Sequence, residues 1–179
     1  MTKSYLSPLV AETKQMFPEH RVPTGKDEWY TPAPVIEAAR RLMGSIDLDP
    51  ASCETANQVV KATRYFTISD DALQQDWSGN VWCNPPFGAR LVRAFHAKLK
   101  DSPAVSKACF LSPLLDSKHS MAMLQEADAI VFLRPYGGGW WGPAVIHKSP
   151  PSWGLLGVAC YGVTIEETRQ AFGGLGVVR

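Results

Sequence analysis

The segment Val81-Trp82-Cys83-Asn84-Pro85-Pro86-Phe87-Gly88 is the one from which the organisation of this chain can be worked out. Its first three residues are apolar and predict a short buried strand. The strand has to end at Pro85, because neither proline carries an N–H that could donate to a neighbouring strand. Asn84 therefore lies at the carboxyl end of a strand, and a stiff turn follows it.

The polar groups and the aromatic ring of this segment suit a planar base that carries an exocyclic amine. Such an amine can donate to the side-chain oxygen of Asn84 and to the carbonyl of Pro85, while the base stacks on Phe87. The alternative is an ordinary strand end with a diproline turn and with Phe87 in the core. The segment by itself leaves both interpretations open.

The composition is that of an ordinary globular protein. The chain has 179 residues, of which 45% are hydrophobic and 20% are charged, and its formal net charge is +1. No stretch is apolar enough to cross a bilayer, and the first residues lack the apolar core of a signal peptide. Any nucleic-acid binding must therefore depend on a local basic patch.

The four cysteines are scattered without the paired spacing of a zinc site; they are Cys53, Cys83, Cys109 and Cys160. We therefore expect no bound metal and reduced, mostly buried thiols. This cysteine usage, together with the missing signal peptide, predicts a cytoplasmic protein.

The beginning of the chain predicts a loosely ordered arm, residues 1–26, ahead of a single domain, residues 27–179. Three prolines interrupt the arm, which is either a solvated tail or a DNA-contacting segment. A helix is expected to follow, with Thr31 as its N-cap, Pro32 at its first position and Gly44 at its end.

Acidic residues mark the first expected strand, Ser45-Ile46-Asp47-Leu48-Asp49. Ligands of open α/β sheets bind beyond the carboxyl ends of strands, so Asp47 and Asp49 are candidate ligand contacts. Asp49 can accept from an ammonium group, or it can cap the turn that follows it. For Asp70 and Asp71, a ligand role competes with the capping of a helix-like run.

Basic residues lie on the outer face of an amphipathic helix expected after Gly88. Arg90 and Arg93 are the ones nearest the diproline turn, and they can contact phosphates or simply keep the helix soluble. The longest irregular stretch, residues 134–153, combines glycines, cations and two tryptophans. It suits either a DNA-facing loop or a loop folded onto the core. Its candidate DNA contacts are Arg134, Trp140, Trp141 and Lys148.

Short apolar strands alternate with helical segments along the chain, with further strands expected at 64–67, 108–113, 129–133 and 155–162. The alternation predicts an α/β fold, a mostly parallel sheet with helices on both faces. A last helix is expected at 164–172, and the glycine-rich end after it is expected to fray.

Four segments, in this order, resemble the phage-type DNA N6-adenine methyltransferase (Dam) family, whose members use S-adenosylmethionine (SAM). They are Asp27-Glu28-Trp29-Tyr30-Thr31-Pro32, Ile46-Asp47-Leu48-Asp49-Pro50-Ala51-Ser52, Asp71-Ala72-Leu73 with Trp77, and Asn84-Pro85-Pro86-Phe87. The last resembles the Asp/Asn-Pro-Pro-Tyr/Phe motif of amino methyltransferases. The resemblance extends from about Asp27 to Gly162. It implies a reduced class-I (Rossmann-like) fold, although the glycine-rich loop of most SAM-binding proteins is replaced by Pro50-Ala51-Ser52.

The resemblance also implies an activity, SAM-dependent methylation of the N6 amine of adenine in DNA, with the base flipped out of a duplex. The implied catalytic residues are Asn84, Pro85, Pro86 and Phe87. The candidate cofactor contacts are Trp29, Tyr30, Thr31, Asp47, Asp49, Pro50 and Asp71. In the family the aromatic-Thr-Pro turn lies against the methionine part of SAM, and an aspartate at the position of Asp71 accepts from the adenine amine. The implied location is the cytoplasm of a bacterial or phage-infected cell.

Two other functions remain open on the sequence. An Asn-Pro-Pro-aromatic turn also serves methylation of cytosine N4, of RNA bases and of a glutamine amide in proteins. A non-catalytic protein that binds DNA or SAM could have the same fold. Transfer of labelled methyl groups from SAM to DNA would separate these possibilities.

Overall fold

The computed structural model describes residues 30–114, 118–134 and 156–179. The helices in this part of the chain are α1 (Ala33–Met43), α2 (Glu54–Val60), α3 (Ala89–Lys100), α4 (Lys118–Glu126) and α5 (Ile165–Phe172). The strands are β1 (Leu48–Asp49), β2 (Arg64–Tyr65), β3 (Gly79–Cys83), β4 (Val105–Pro113), β5 (Ala129–Leu133), β6 (Leu156–Tyr161) and β7 (Gly176–Val178). Two 3₁₀ turns, Ile68–Asp70 and Ala72–Gln74, lie between β2 and β3.

The strands of the described residues form one sheet in the order β2-β1-β3-β4-β6-β5-β7. The ladders that join β2, β1, β3 and β4 are parallel, and those that join β4, β6, β5 and β7 are antiparallel. Five of these strands consequently point the same way. Their carboxyl ends meet on one side of the sheet, which we call the carboxyl edge.

Helices cover both faces of the sheet, as the sequence predicts. On one face, α1, α2 and α5 pack around Trp82 of β3 and Cys109 of β4. On the other face, α3, α4 and the second 3₁₀ turn pack around Val81 and Phe110 of the same strands. Successive side chains of a strand point to opposite faces, and this alternation divides the core into two clusters. The predicted α/β class, with a parallel arrangement in the core of the sheet, is confirmed.

The segment from which the sequence analysis began is also confirmed as a strand end. β3 ends at Cys83, and Val81, Trp82 and Cys83 are fully buried. Asn84 follows directly, and α3 begins five residues later with Gly88 as its N-cap. The diproline turn therefore connects the centre of the sheet to a helix on one face.

One capping prediction was wrong. Helix α1 begins at Ala33, and its N-cap is Pro32 rather than Thr31. The carbonyl of Pro32 accepts from the N–H of Val35 at 3.0 Å, and no side chain caps this end. Thr31 lies outside the helix, and its hydroxyl is used by another part of the chain. The predicted end of the helix at Gly44 is confirmed, with a φ of 90° that favours glycine.

The expectation that the carboxyl terminus frays was also wrong. Residues 176–178 form β7, which pairs antiparallel with β5. Val178 is 4% exposed and belongs to the core, so its burial stabilises the strand. Gly176 is required at this position, because a Cβ there would collide with the carbonyl oxygen of Phe132.

Some predictions fall on parts of the chain that the structure leaves undescribed. The N-terminal arm, residues 1–26, lies outside the described residues, and so does nearly all of the long irregular stretch. Among the described residues, no helix has the length and apolar character needed to cross a membrane. The same residues contain no group of three or more potential metal ligands.

Candidate active site

The carboxyl edge brings the ends of β1 and β3 together, because these strands are parallel neighbours. Leu48 pairs with Val81, so Asp49 lies level with Trp82 and two residues before Asn84. Neighbouring strands lie about 4.8 Å apart and residues rise about 3.3 Å along a strand, so the backbones of Asp49 and Asn84 are about 8 Å apart. An amide and a carboxyl group thus share one small region.

Asn84 is held in place by a residue from a distant part of the sequence. Its side-chain Nδ2 donates to the hydroxyl of Thr31 at 3.3 Å, across 53 residues of chain. Thr31 is 7% exposed, whereas Asn84 is half-buried. The bond fixes the orientation of the amide and turns its oxygen to the side away from Thr31. The sequence places Thr31 and Asn84 in separate motifs, and the structure brings them into contact.

The rest of the diproline turn divides between core and surface. Pro85 is buried and Pro86 is exposed. Phe87 is half-buried and packs against the apolar clusters on both faces of the sheet. Its ring therefore lies at the carboxyl edge with one part anchored in the core. The two interpretations of Phe87, as an exposed stacking ring and as a core residue, each describe part of its surroundings.

Asp49 is a buried carboxyl group at the end of β1. It is 2% exposed, and its Oδ1 accepts from the backbone N–H of Ala51 at 3.1 Å. Burial raises the pKa of Asp49 from 3.8 to about 7, and hydrogen bonding from Ala51 and Ser52 opposes part of this rise. Asp49 does cap its turn, as one interpretation had it. A buried carboxylate with so few donors would gain from a neighbouring cation.

Asp47, the other acidic residue of this segment, has different surroundings. It precedes β1, and its backbone N–H donates to the carbonyl of Asn80 at the beginning of β3. Its Oδ1 accepts from the hydroxyl of Ser45 at 2.8 Å, and its Oδ2 accepts from the N–H of Asn80 at 2.8 Å. Asp47 thus lies at the amino ends of the strands, where it joins β1 to β3. Its predicted contact with a cofactor stays a prediction.

Asp70 and Asp71 are adjacent in sequence, but their hydrogen bonding differs, as it does between Asp47 and Asp49. The Oδ2 of Asp70 accepts from both the N–H and the hydroxyl of Thr67 at 2.7 Å, in a capping box that holds the pKa of Asp70 below its usual value. Asp71 has a left-handed backbone with a φ of 49°, between the two 3₁₀ turns. Its Oδ2 is buried and has no hydrogen-bond partner among the described residues. Asp70 is structural, whereas Asp71 has an acceptor left over.

Of the two aromatic residues predicted to contact the cofactor, Trp29 and Tyr30, the structure describes only Tyr30. Tyr30 is half-buried, and its hydroxyl lies 3.5 Å from the Sγ of Cys53, just after the turn at Pro50. Pro50 is itself buried. Tyr30 therefore lies beside the loop that follows β1, as its predicted role requires. Trp29 lies outside the described residues.

The predicted DNA contacts are exposed where the structure describes them. Arg90 and Arg93 lie on α3, close after the diproline turn. Arg134 follows β5 and is also at the carboxyl edge, three strands from β3, which corresponds to about 14 Å. Trp140, Trp141 and Lys148 lie outside the described residues.

Two residues at this edge were missed by the sequence analysis. The Ser52 hydroxyl is buried beside Asp49, and its hydrogen bonding lowers the pKa of that carboxyl group. Phe66 follows β2; its N–H donates to the carbonyl of Asp49, and its own carbonyl accepts from the N–H of Ser52, both at 2.9 Å. The position of Ser52 in the turn after β1 was a signal for it. Phe66 had no signal beyond its place at a strand end.

Comparison with known proteins identifies a family for this chain. The model of the DNA N-6-adenine-methyltransferase (Dam) family matches residues 20–138, which is well over half of the chain. No curated protein and no solved structure shows significant similarity to it. The matched region contains β1 to β5 and all four segments on which the resemblance rests. The chain therefore belongs to the DNA N-6-adenine-methyltransferase family.

Proposed function

We propose that this protein transfers a methyl group from SAM to the N6 amine of adenine in DNA, and that the carboxyl edge is its active site. Membership of the family implies a methyl donor and a DNA substrate. The observation that carries the assignment to this edge is the contact between Asn84 and Thr31. It unites the diproline turn with the segment before α1, beside the end of β1.

The residues after β1 and β2 suit the chemistry of SAM. Asp71 has a buried oxygen without a partner among the described residues, and such an acceptor suits an adenine amine. Asp49 is a buried carboxyl group that a ligand ammonium would stabilise in its ionised form. Tyr30, Thr31 and Pro50 would line the same end of the site. SAM, when bound, supplies an electrophilic methyl group on its sulfonium.

The protein's own contribution to the reaction would come from fixed carbonyl dipoles. The N6 amine of adenine is a poor nucleophile, because its lone pair is delocalised into the ring. The Asn84 side-chain oxygen and the Pro85 carbonyl would each accept a hydrogen bond from one N–H of the amine. These hydrogen bonds favour a pyramidal nitrogen with an available lone pair. Positive charge grows on that nitrogen as it attacks, and preorganised dipoles stabilise the charge more than they stabilise the ground state.

The target amine must first leave the duplex. Flipping a base out costs a few kcal/mol, and stacking on an aromatic ring repays part of the cost. Phe87 is the ring at this position, and its packing against both core clusters would hold it rigid. We propose double-stranded DNA as the substrate. Pro86 would keep the turn stiff.

Phosphate contacts would flank the site, because the chain as a whole is nearly neutral. Arg90 and Arg93 lie on the helix that begins at the diproline turn, and Arg134 lies at the same edge of the sheet. We assign these arginines and Lys148 to the phosphates, and Trp140 or Trp141 to the gap left by the flipped base.

The decisive experiment is methyl transfer from tritium-labelled SAM to duplex DNA, with the product hydrolysed to nucleosides. We expect the label in N6-methyl-2′-deoxyadenosine. Label in N4-methylcytosine, or transfer only to RNA or protein, would assign the same chemistry to another substrate. SAM binding in calorimetry without any transfer would make this a binding protein of the family.

A further inference from the structure

The hydroxyl of Thr31 lies in contact with the amide on which the proposed reaction depends. Its Oγ1 accepts a hydrogen bond from the Nδ2 of Asn84 at 3.3 Å. An amide side chain has an oxygen that only accepts and an NH₂ group that only donates, and the two ends have almost the same size and shape. The function of Asn84 therefore depends on which end of its amide is turned toward the target base.

Thr31 is suited to fix that choice, because its own conformation is restricted. It precedes Pro32, and a residue before a proline is confined to an extended backbone. Its branched side chain is also restricted in χ1. Thr31 is 7% exposed, and the helix that begins after it is anchored in the core by Val35 and Ile36. The hydroxyl oxygen is thus held in a fixed position beside the end of β3.

We propose that Thr31 is a positioning residue, which selects the end of the Asn84 amide that faces the target base. This inference rests on the proposed function and adds a residue that acts on the reaction through Asn84. With Nδ2 donating to Thr31, Oδ1 is turned the other way, where it can accept from the N6 amine of adenine. If the amide turned over, its NH₂ group would meet the amine, and two donors form no hydrogen bond with each other.

An amide needs such a selection, whereas a carboxylate does not. The two oxygens of an aspartate are equivalent, so one of them can accept from the amine whichever way the group turns. Thr31→Val removes the hydroxyl and keeps the branched shape. At saturating SAM, it should lower turnover on duplex DNA by roughly tenfold by itself, and by less than about threefold when it is combined with Asn84→Asp. Thr31→Ser retains a hydroxyl and should recover most of the lost turnover.

The amide itself can be observed in the protein without ligand. In isotope-labelled protein, the side-chain NH₂ group of Asn84 gives an NMR signal, which is identified by its loss in Asn84→Ala. We expect Thr31→Val to shift this signal, because the acceptor of its hydrogen bond is removed, and Thr31→Ser to restore it. The matched control is Thr168→Val, at a buried threonine of α5 whose hydroxyl donates to the carbonyl of Thr164 at 2.8 Å. It should change neither the Asn84 signal nor turnover.

The outcomes separate a positioning role from a structural one. Equal losses of turnover with and without Asn84→Asp, an inactive Asn84→Asp protein, an unshifted amide signal in Thr31→Val, or no recovery in Thr31→Ser would overturn the positioning role alone. If Thr31→Val does not fold, Thr31→Ala takes its place in each comparison. Absence of methyl transfer by the wild-type protein would instead overturn the proposed function, and the contact seen in the amide signal would then stand as a structural feature only.

Discussion

The amino ends and the carboxyl ends of β1 and β3 carry similar polar residues in opposite states. At the amino ends, Asp47, Ser45 and Asn80 form a closed network in which both oxygens of Asp47 accept a hydrogen bond. At the carboxyl ends, Asp49 is buried with a strongly raised pKa, and the hydrogen bonds from its own turn offset only part of the cost of its burial. Only the first arrangement is complete within the described chain.

We interpret this difference as one between groups that stabilise the fold and groups that would contact the proposed cofactor. A satisfied network joins two strands and stabilises them, whereas a half-satisfied one costs free energy in the absence of a ligand. Proteins keep such destabilising polar groups at functional sites. The same contrast recurs between Asp70 and Asp71. Three of the variants below, at Asp49, Asp47 and Asp71, each change one member of these pairs.

The largest expected effect is on the stability of the ligand-free protein, and it belongs to Asp49→Asn. The pKa of Asp49 is about 7 against an ordinary 3.8, a difference that corresponds to about 4 kcal/mol. Asn retains the acceptor for the Ala51 N–H and removes the buried charge. Above pH 7 the variant should therefore be more stable than the wild type by up to about 4 kcal/mol, as measured by urea unfolding. Its SAM binding should fall.

The pH dependence of wild-type stability follows from the same shift. The folded pKa is raised, so the folded state keeps a proton that the unfolded state has already lost between pH 3.8 and about 7. The stabilising contribution is thus complete below the unfolded pKa and is lost as the pH rises through the folded value. Asp49→Asn should flatten this decline between pH 4 and pH 7. An unchanged decline would show that Asp49 is not its source.

The next largest effect is expected at Asn84, on catalysis rather than stability. Asn84→Ala should lower turnover by roughly 10²- to 10³-fold, or about 3–4 kcal/mol, because it removes one preorganised dipole. SAM affinity should stay close to that of the wild type. Asn84→Asp is the matched variant: it keeps an acceptor oxygen, and the Thr31 hydroxyl can donate to it, so it should retain more activity. Near-normal methylation by Asn84→Ala would remove this residue from the mechanism.

Asp47→Ala tests the opposite end of the strands. The change removes both hydrogen bonds accepted by the carboxylate, and it leaves the N–H of Asn80 and the hydroxyl of Ser45 to find other partners. We expect a loss of about 2–3 kcal/mol in the free energy of unfolding. SAM affinity, measured well below the unfolding temperature, should be nearly unchanged. A selective loss of SAM affinity would instead support the earlier assignment of Asp47 as a cofactor contact.

The sequence was sufficient for the strand ends, because they depend on local chemistry. The apolar run up to Cys83 and the prolines after it determine where β3 stops, and helical spacing identifies α3. The candidates Asn84 and Asp49 followed from their positions at strand ends, whereas Asp71 was assigned by the resemblance to the family. These features need no knowledge of which strands are neighbours.

The remaining features depend on contacts between distant parts of the chain. Asp47 and Asp49 are indistinguishable in sequence, and they differ because Asp47 meets Asn80, 33 residues away. The prediction that Thr31 is an N-cap failed because the local motif competed with the contact to Asn84. The strand β7 follows a glycine-rich segment, and its pairing with β5 fixes it in place.

Asp71→Asn and Asp70→Asn together compare the two neighbouring aspartates, and the expected effect on SAM affinity is smaller than the effects above. Asn tolerates the left-handed backbone at this position, so the change removes the charge without straining the turn. We expect SAM to bind more weakly by about 1–3 kcal/mol, the cost of losing a charge-assisted hydrogen bond. Asp70→Asn is the control, because it alters the capping box and should affect stability rather than SAM affinity. Equal SAM affinity in wild type and Asp71→Asn would place the adenine elsewhere.

Arg93→Ala should have the smallest effect, and on DNA binding alone. Arg93 is exposed on α3, so its removal should leave folding and SAM affinity unchanged. One lost phosphate contact should weaken binding to all DNA sequences alike, and it should lower the slope of log affinity against log salt by about one. The matched control is Arg169→Ala, because α5 covers the opposite face of the sheet. An identical salt slope for wild type and Arg93→Ala would move the phosphate contact away from α3.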